Sequence, residues 1–245
     1  MGDTLIAIRG VTKTYPRGDQ VVHALRGVNL DIETGQYISI MGPSGSGKST
    51  LFNMIGGLDM PTEGEVRVDG CRLAALDSDQ LAWFRCHKIG FIFQSFNLVN
   101  TMTAQENVAI ARTFAGVSYA EAMADAAQVL TRVGLEHRLT HLPSQVSGGQ
   151  QQRIAIARAL VNRPMIILAD EPTGNLDLKT GQDIIDLLYE MKTVFGITVV
   201  TATHDMKMIS ASDRLVKLRS GAVEEMMTRA EMNVSIGTID GESVA

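Results

Sequence analysis

Along this chain the apolar and polar positions change rhythm twice. Over the first third the pattern is that of strands. Leu5-Ile6-Ala7-Ile8 and the stretch Val21 to Ile32 carry β-branched residues between turn signals. Gln36 to Met41 is a short apolar run that stops at a glycine, and it reads as another strand. Helical spacing follows from Lys48 to about Leu58. Pro61-Thr62-Glu63-Gly64 is a turn, and Glu65 to Val68 is a strand leading into Asp69-Gly70.

The second change comes at about Thr103. From there to Val133 the chain is rich in Ala, Glu and Met with apolar residues at helical spacing, which predicts at least two helices with a break near Gly116-Val117-Ser118. Pro143 closes this helical insert. A helix from Gly149 to Val161 follows, ended by Pro164, and another runs from about Gly181 to Val194. Met165 to Leu168, Ile197 to Ala202 and Leu215 to Leu218 are nearly unbroken apolar runs of strand length. Buried strands alternating with helices predict a parallel or mixed sheet covered on both faces. No repeat or low-complexity segment interrupts it. Residues from about Val234 on are small and polar enough to fray. The role of Met226-Met227 and Met232 is open at this level.

The length, 245 residues, fits one large domain or a core with a subdomain, and 45% hydrophobic residues promise an ordinary buried core. A net charge of −5 gives no support to nucleic acid as a partner. Cys71 and Cys86 form no CxxC pair and read as reduced thiols. The first five residues show no basic segment followed by an apolar one, so no signal peptide is expected there. No apolar run approaches the roughly 18 residues of a spanning helix. Work at a membrane would be done from its aqueous side.

Gly42-Pro43-Ser44-Gly45-Ser46-Gly47-Lys48-Ser49-Thr50 lies between a strand and a helix and matches G-x-x-x-x-G-K-[ST]. Glycines let the backbone curl so that several N–H groups point into one concavity. Those donors and the helix start suit phosphate oxygens, Lys48 adds a mobile positive charge, and the Ser49 hydroxyl suits Mg²⁺. A nucleoside triphosphate is the expected ligand. The strand Met165 to Leu168 delivers Asp170 and Glu171 to its C-terminal edge, where open α/β sheets bind ligands. Asp170 suits the Mg²⁺ shell and Glu171 suits orienting and deprotonating a water. Val146-Ser147-Gly148-Gly149-Gln150 opens the next helix, with Ser147 as a cap and two glycines exposing backbone N–H groups. That is a second anion-binding helix start.

With these three motifs together the chain resembles the ABC ATPase family from Ile6 to about Gly221. The resemblance implies an α/β P-loop core of ABC ATPase type: a mixed sheet, an N-terminal antiparallel β part and a helical insert. It divides the chain into a nucleotide-binding core, 1–94 and 161–245, and a helical subdomain, 95–160. The family signature reads Leu-Ser-Gly-Gly-Gln; here Val146 takes the first place. In the family, the signature of one subunit covers the γ-phosphate on the phosphate loop of another, so a head-to-tail dimer holding two ATP molecules is implied. Tyr15 resembles the aromatic that stacks on adenine, and Gln94 the glutamine that meets Mg²⁺ and links core to insert. Gly174-Asn175-Leu176-Asp177 stands where many members have Ser-Ala-Leu-Asp, so Asp177 joins the expected ATP-binding set. His204 resembles the histidine that contacts the γ-phosphate.

The wording of Ile89 to Gln94, Phe96-Asn97-Leu98, Pro143-Ser144-Gln145 and Thr173 to Asp177 is similar to the MacB/LolD group, with the cell-division ATPase FtsE a near relative. That likeness implies an ATPase powering export or extraction through separate integral membrane subunits, bound at the cytoplasmic membrane face. Two rivals stand beside it. A soluble ATPase of the family acting on nucleic acid or ribosomes would carry a long coiled coil or a second cassette, and neither is in this sequence. A non-hydrolysing scaffold would have a degenerate site, whereas every expected position is filled.

Overall fold

The computed structural model describes residues 3–18, 20–232, 238–239 and 242–243. The chain divides into two compact units, residues 1–74 with 200–245, and residues 75–199.

The first unit opens with β1 (Thr4–Arg17) and β2 (Gln20–Glu33), followed by β3 (Tyr37–Met41), α1 (Lys48–Ile55), β4 (Glu63–Val68) and β5 (Cys71–Arg72). β1 pairs antiparallel with β2 on one side and β4 on the other, giving the order β2-β1-β4-β5. The register sets Ile6 between Ile32 and Val68, and Ile8 between Leu30 and Val66, and all six are buried. Because strand side chains alternate, this register puts the apolar set on one face. Burial stabilises such side chains by about 2 kcal/mol each. α1 ends at Ile55, with Gly56 as its C-cap, short of the expected Leu58.

The second unit holds α2 (Ser78–Lys88), β6 (Ile89–Phe93), α3 (Ala104–Phe114), α4 (Tyr119–Arg132), α5 (Gly148–Leu160), β7 (Ile166–Asp170) and α6 (Leu178–Phe195). β8 (Thr198–Ala202), buried at every residue, begins here. The helical reading of the middle stretch holds: α3 and α4 are separated at Gly116–Ser118. Thr103 and Glu106 form a capping box on α3, and the Ser118 hydroxyl accepts from the Glu121 N–H on α4. Asn107 is fully buried yet satisfied. Its Oδ1 accepts from the Val99 N–H (2.7 Å) and its Nδ2 donates to the carbonyls of Val99, Met102 and Thr103 (3.0 Å each). α2 and β6 are additions to the pattern read from sequence. α6 begins three residues before the expected Gly181 because the Asp177 carboxylate accepts from the N–H groups of Lys179 (3.1 Å) and Thr180 (3.0 Å).

The chain returns to the first unit through the end of β8 and continues as α7 (Met206–Ala211), β9 (Arg214–Arg219) and β10 (Ala222–Thr228). There β10-β9-β3-β8 is the strand order. β9 is parallel to β3 and antiparallel to β10, so the sheet is mixed. The Ser39 and Thr201 hydroxyls, both buried, pair at 3.1 Å within it. The methionine tail packs: Met232 joins Ile209 and Leu215, with Met227 and Met206 against them. The short pair β11 (Thr238–Ile239) and β12 (Glu242–Ser243) closes the described chain. The rest of the segment expected to fray from Val234 lies outside the described residues.

Candidate functional site

In the first unit the phosphate loop leaves β3 at Gly42 and enters α1 at Gly47. Gly45 (φ +77°) and Gly47 (φ +106°) are in the left-handed region, which only glycine adopts without strain. The glycines also answer to the walls around the loop. A Cβ on Gly42 would collide with the Leu218 carbonyl oxygen, and one on Gly47 would come within 2.6 Å of the Ala24 carbonyl oxygen. The Gly221 N–H donates to the Ser46 carbonyl (3.0 Å), fixing the outer curve of the loop. Lys48 Nζ donates to the carbonyls of Gly42 (2.7 Å) and Pro43 (3.3 Å), which holds the ammonium over the loop. No side chain caps the start of α1, so its first backbone N–H groups suit an anion.

Two further sequence-identified residues belong to this unit. The Thr203 N–H donates to the Ile40 carbonyl (3.1 Å), so β8 and β3 run out together and His204, which is exposed, emerges beside the strand that feeds the phosphate loop. Tyr15, half-buried on β1, donates its phenol to Asp59 Oδ2 (2.7 Å), while Lys13 Nζ donates to Asp59 Oδ1 (2.6 Å). Burial pushes the Tyr15 phenol above its ordinary pKa, and the hydrogen bond to the Asp59 carboxylate raises it further. Burial alone would raise the Asp59 carboxyl. Hydrogen bonds from Lys13, Tyr15 and the Met60 N–H outweigh it and hold the group below the usual carboxylate range.

In the second unit, β6 and β7 are parallel with Phe93 opposite Asp170. Gln94 and Glu171 follow directly on the ends of these two strands. Glu171 has φ +44°, a conformation a side chain of its size seldom takes, at a cost of about 1–3 kcal/mol. Strain of that kind concentrates where a side chain must be aimed. The Gly174 N–H closes the turn onto the Glu171 carbonyl (3.0 Å). Gly174 also lies against Gln94: an added Cβ would come within 2.7 Å of its Nε2. Asn175 Nδ2 donates to the Gln94 carbonyl (2.9 Å).

The signature residues sit at the start of α5 as the sequence implied. The Ser147 hydroxyl accepts from the Gln150 N–H (3.3 Å), and Gln150 Oε1 accepts from the Ser147 N–H (3.0 Å). The two glycines then differ in purpose. Gly148 has ordinary spacing to Leu176 and Phe96, whereas Gly149 is buried and a Cβ there would collide with the Thr180 methyl. The helix start thus abuts the start of α6. Thr180 is itself held by Asp177, whose pKa is lowered first by the Thr180 hydroxyl and then by the Thr180 N–H.

Sequence reasoning missed Asp59, Lys13 and Arg158. Arg158 on α5 donates to the carbonyls of Asn97 (2.6 Å) and Phe96 (2.9 Å), and burial draws its pKa down. Phe96 and Asn97 are both left-handed, at φ +61° and +50°, so Arg158 pins the turn directly after Gln94. No local pattern marks an arginine inside a helix for that use.

The donors fit the ligands implied. Ser49 in the first unit offers a hydroxyl oxygen, and Gln94 and Asp170 in the second an amide and a carboxylate oxygen; each is a hard donor of the kind Mg²⁺ takes alongside substrate phosphates. Among the described residues no helix is long and apolar enough to cross a membrane.

Residues 25–174 match the family described as ABC transporter. The chain is 50% identical over 224 residues to the uncharacterized ABC transporter ATP-binding protein MJ0796 of Methanocaldococcus jannaschii, covering 90% of this chain and 95% of that one. It is 46% identical over 238 residues to the macrolide export ATP-binding/permease protein MacB of Brucella abortus, where it spans only 37% of the relative's length. Among solved structures, the dimeric post-hydrolysis state of the MJ0796 cassette bound to ADP and Pi superposes with a TM-score of 0.85 at 47% identity, covering 91% of this chain and 98% of that one. Phosphate loop, acidic strand end and signature helix thus stand in a chain whose near relatives carry the same cassette: it belongs to the ABC transporter family as an ATP-binding, ATP-hydrolysing subunit.

Proposed function

We propose that this ATPase works as a head-to-tail dimer with two ATP molecules, driving export or extraction through separate integral membrane subunits while bound peripherally at the cytoplasmic membrane face. The observation that carries the proposal is the pair of anion-suited helix starts in one chain, α1 behind the phosphate loop and α5 behind the signature. The likeness to MacB supports the branch, and the dimeric state of the MJ0796 cassette supports the assembly.

In this reading water attacks the γ-phosphate in line. The phosphate-loop residues Gly42, Ser44, Gly45, Ser46, Gly47, Ser49 and Thr50 hold the triphosphate with their N–H and hydroxyl groups, and Lys48 balances the charge on the transferring group. Glu171 orients the water and accepts its proton, and His204 holds γ-phosphate and water in register. Ser49, Gln94 and Asp170 would hold Mg²⁺, which when bound neutralises phosphate charge. Ser147, Gly148, Gly149, Gln150 and Asp177 serve the ATP of the partner copy, and Tyr15 stacks on the base. The division into core (1–94, 161–245) and helical subdomain (95–160) assigns coupling to the turn after Gln94.

Glu171→Gln tests the scheme. ATP binding persists, turnover falls by about 10²-fold or more, and a stable dimer accumulates on size-exclusion chromatography with ATP. Unchanged turnover would remove Glu171 from its role. A nucleotide-loaded crystal with Ser147 away from every γ-phosphate would remove the dimer.

A further inference from the structure

Tyr15 is held on two sides by groups to which no role has been given. Its phenol is anchored to Asp59 Oδ2 at 2.7 Å, and the other oxygen of that carboxylate binds Lys13 Nζ at 2.6 Å. Lys13 also donates to the Met60 carbonyl (2.7 Å), and its ammonium lies 5.0 Å from the centroid of the Tyr15 ring. A cation at that distance over an aromatic face is attracted by the ring quadrupole and covers that face. The Asp59 N-terminal neighbours carry the chain out of α1, and the Asp59 carboxylate also accepts from the Met60 N–H (2.7 Å), so the anchor is itself rigid.

We propose that Asp59 and Lys13 are positioning residues for nucleotide binding: they lock the Tyr15 ring at its hydroxyl and cover one face, so that a purine base meets a pre-set ring from the other face. This rests on the reading of Tyr15 as the base-stacking residue. Asp59 touches no nucleotide in this scheme and acts only through the ring. An exposed tyrosine that must be immobilised on binding loses affinity by about 2- to 10-fold relative to one already fixed. That sets the size of the effect.

The test compares MgATP with magnesium tripolyphosphate, which has the phosphates and no base, each titrated calorimetrically into the full chain. Asp59→Ala and Tyr15→Phe are each expected to weaken ATP about 2- to 10-fold, with tripolyphosphate unchanged. The double variant should be no weaker than the worse single one, because both remove one interaction. Asp59→Asn, which keeps one acceptor, should fall between wild type and Asp59→Ala, and Lys13→Met should weaken ATP alone.

Equal losses for both ligands would make Asp59 a general support of the fold and overturn the proposal. So would additive losses in the double variant, or unchanged ATP affinity in Asp59→Ala. Should Asp59→Ala not fold, Tyr15→Phe and Lys13→Met carry the same contrast, and unchanged ATP affinity in both overturns it. Tyr15→Ala separates the two readings. If it leaves ATP affinity intact, base stacking falls and the clamp with it. If it weakens ATP while Tyr15→Phe and Asp59→Ala do not, the clamp alone falls.

Discussion

Gly149→Ala offers a sharp test of how the signature helix is seated. Gly149 is buried at the second position of α5, and a Cβ there would overlap Thr180 Cγ2, with Thr180 Cβ 3.6 Å away. Thr180 cannot simply turn aside. Its Oγ1 donates to Asp177 Oδ2 (2.6 Å), so rotation about χ1 breaks that hydrogen bond, while the capping bond from its N–H to Asp177 Oδ1 (3.0 Å) stays in place. Overpacking of this kind costs about 1–3 kcal/mol. Replacing glycine within a helix returns up to about 1 kcal/mol, so for overpacking at the middle of its range, about 2 kcal/mol, the net loss is about 1–2 kcal/mol. For a chain of this length each kcal/mol lowers Tm by roughly 2–4 °C, so thermal unfolding followed by circular dichroism should show a drop of about 2–8 °C. Thr180→Ser removes the offending methyl and keeps the hydroxyl. On its own it should cost at most about 0.8 kcal/mol, one buried methyl. In the double variant it should recover most of the loss, a coupling of about 1–2 kcal/mol. Strictly additive single effects, or a Gly149→Ala protein as stable as wild type, would show that α5 does not rest on Thr180.

Three other outcomes follow from the same geometry. Ser147→Ala removes the acceptor for the Gln150 N–H and should lower stability by about 0.5–2 kcal/mol in chemical denaturation, with Ser147→Gly losing less. Arg158→Met keeps the apolar stem but frees the carbonyls of Phe96 and Asn97; hydrogen exchange of the amides around Gln94 should accelerate, and unchanged protection would refute the pinning role. The Asp59 carboxyl titrates below its ordinary value in the folded protein, so its stabilising contribution is complete above the unfolded pKa of about 4 and is lost as pH falls through the lower native value. Asp59→Asn should therefore flatten the acid limb of the stability curve; an unaltered limb would show that the ion pair contributes nothing there.

Chemistry carried by neighbours in sequence was legible from the sequence. The phosphate loop, Asp170-Glu171 and Ser147-Gly148-Gly149-Gln150 are contiguous, and strand-to-helix context sufficed to orient them because the backbone does the work. The helical middle and the buried strands were legible too, since apolar periodicity reports which face is covered. α2 escaped because Phe84 is its one buried residue, so almost no apolar stripe exists, although the Asp77–Gln80 capping box was a local sign of its start. What only the tertiary structure decided are pairings across long separations. Register puts Phe93, just before Gln94, opposite Asp170, just before Glu171. Asp59 reaches Tyr15 from 44 residues away, and Arg158 reaches Phe96 from 62. Such contacts leave no period in the chain, because they are fixed by which strands pair and how helices pack. A sequence written along one dimension carries the first kind of information locally and the second only through folding.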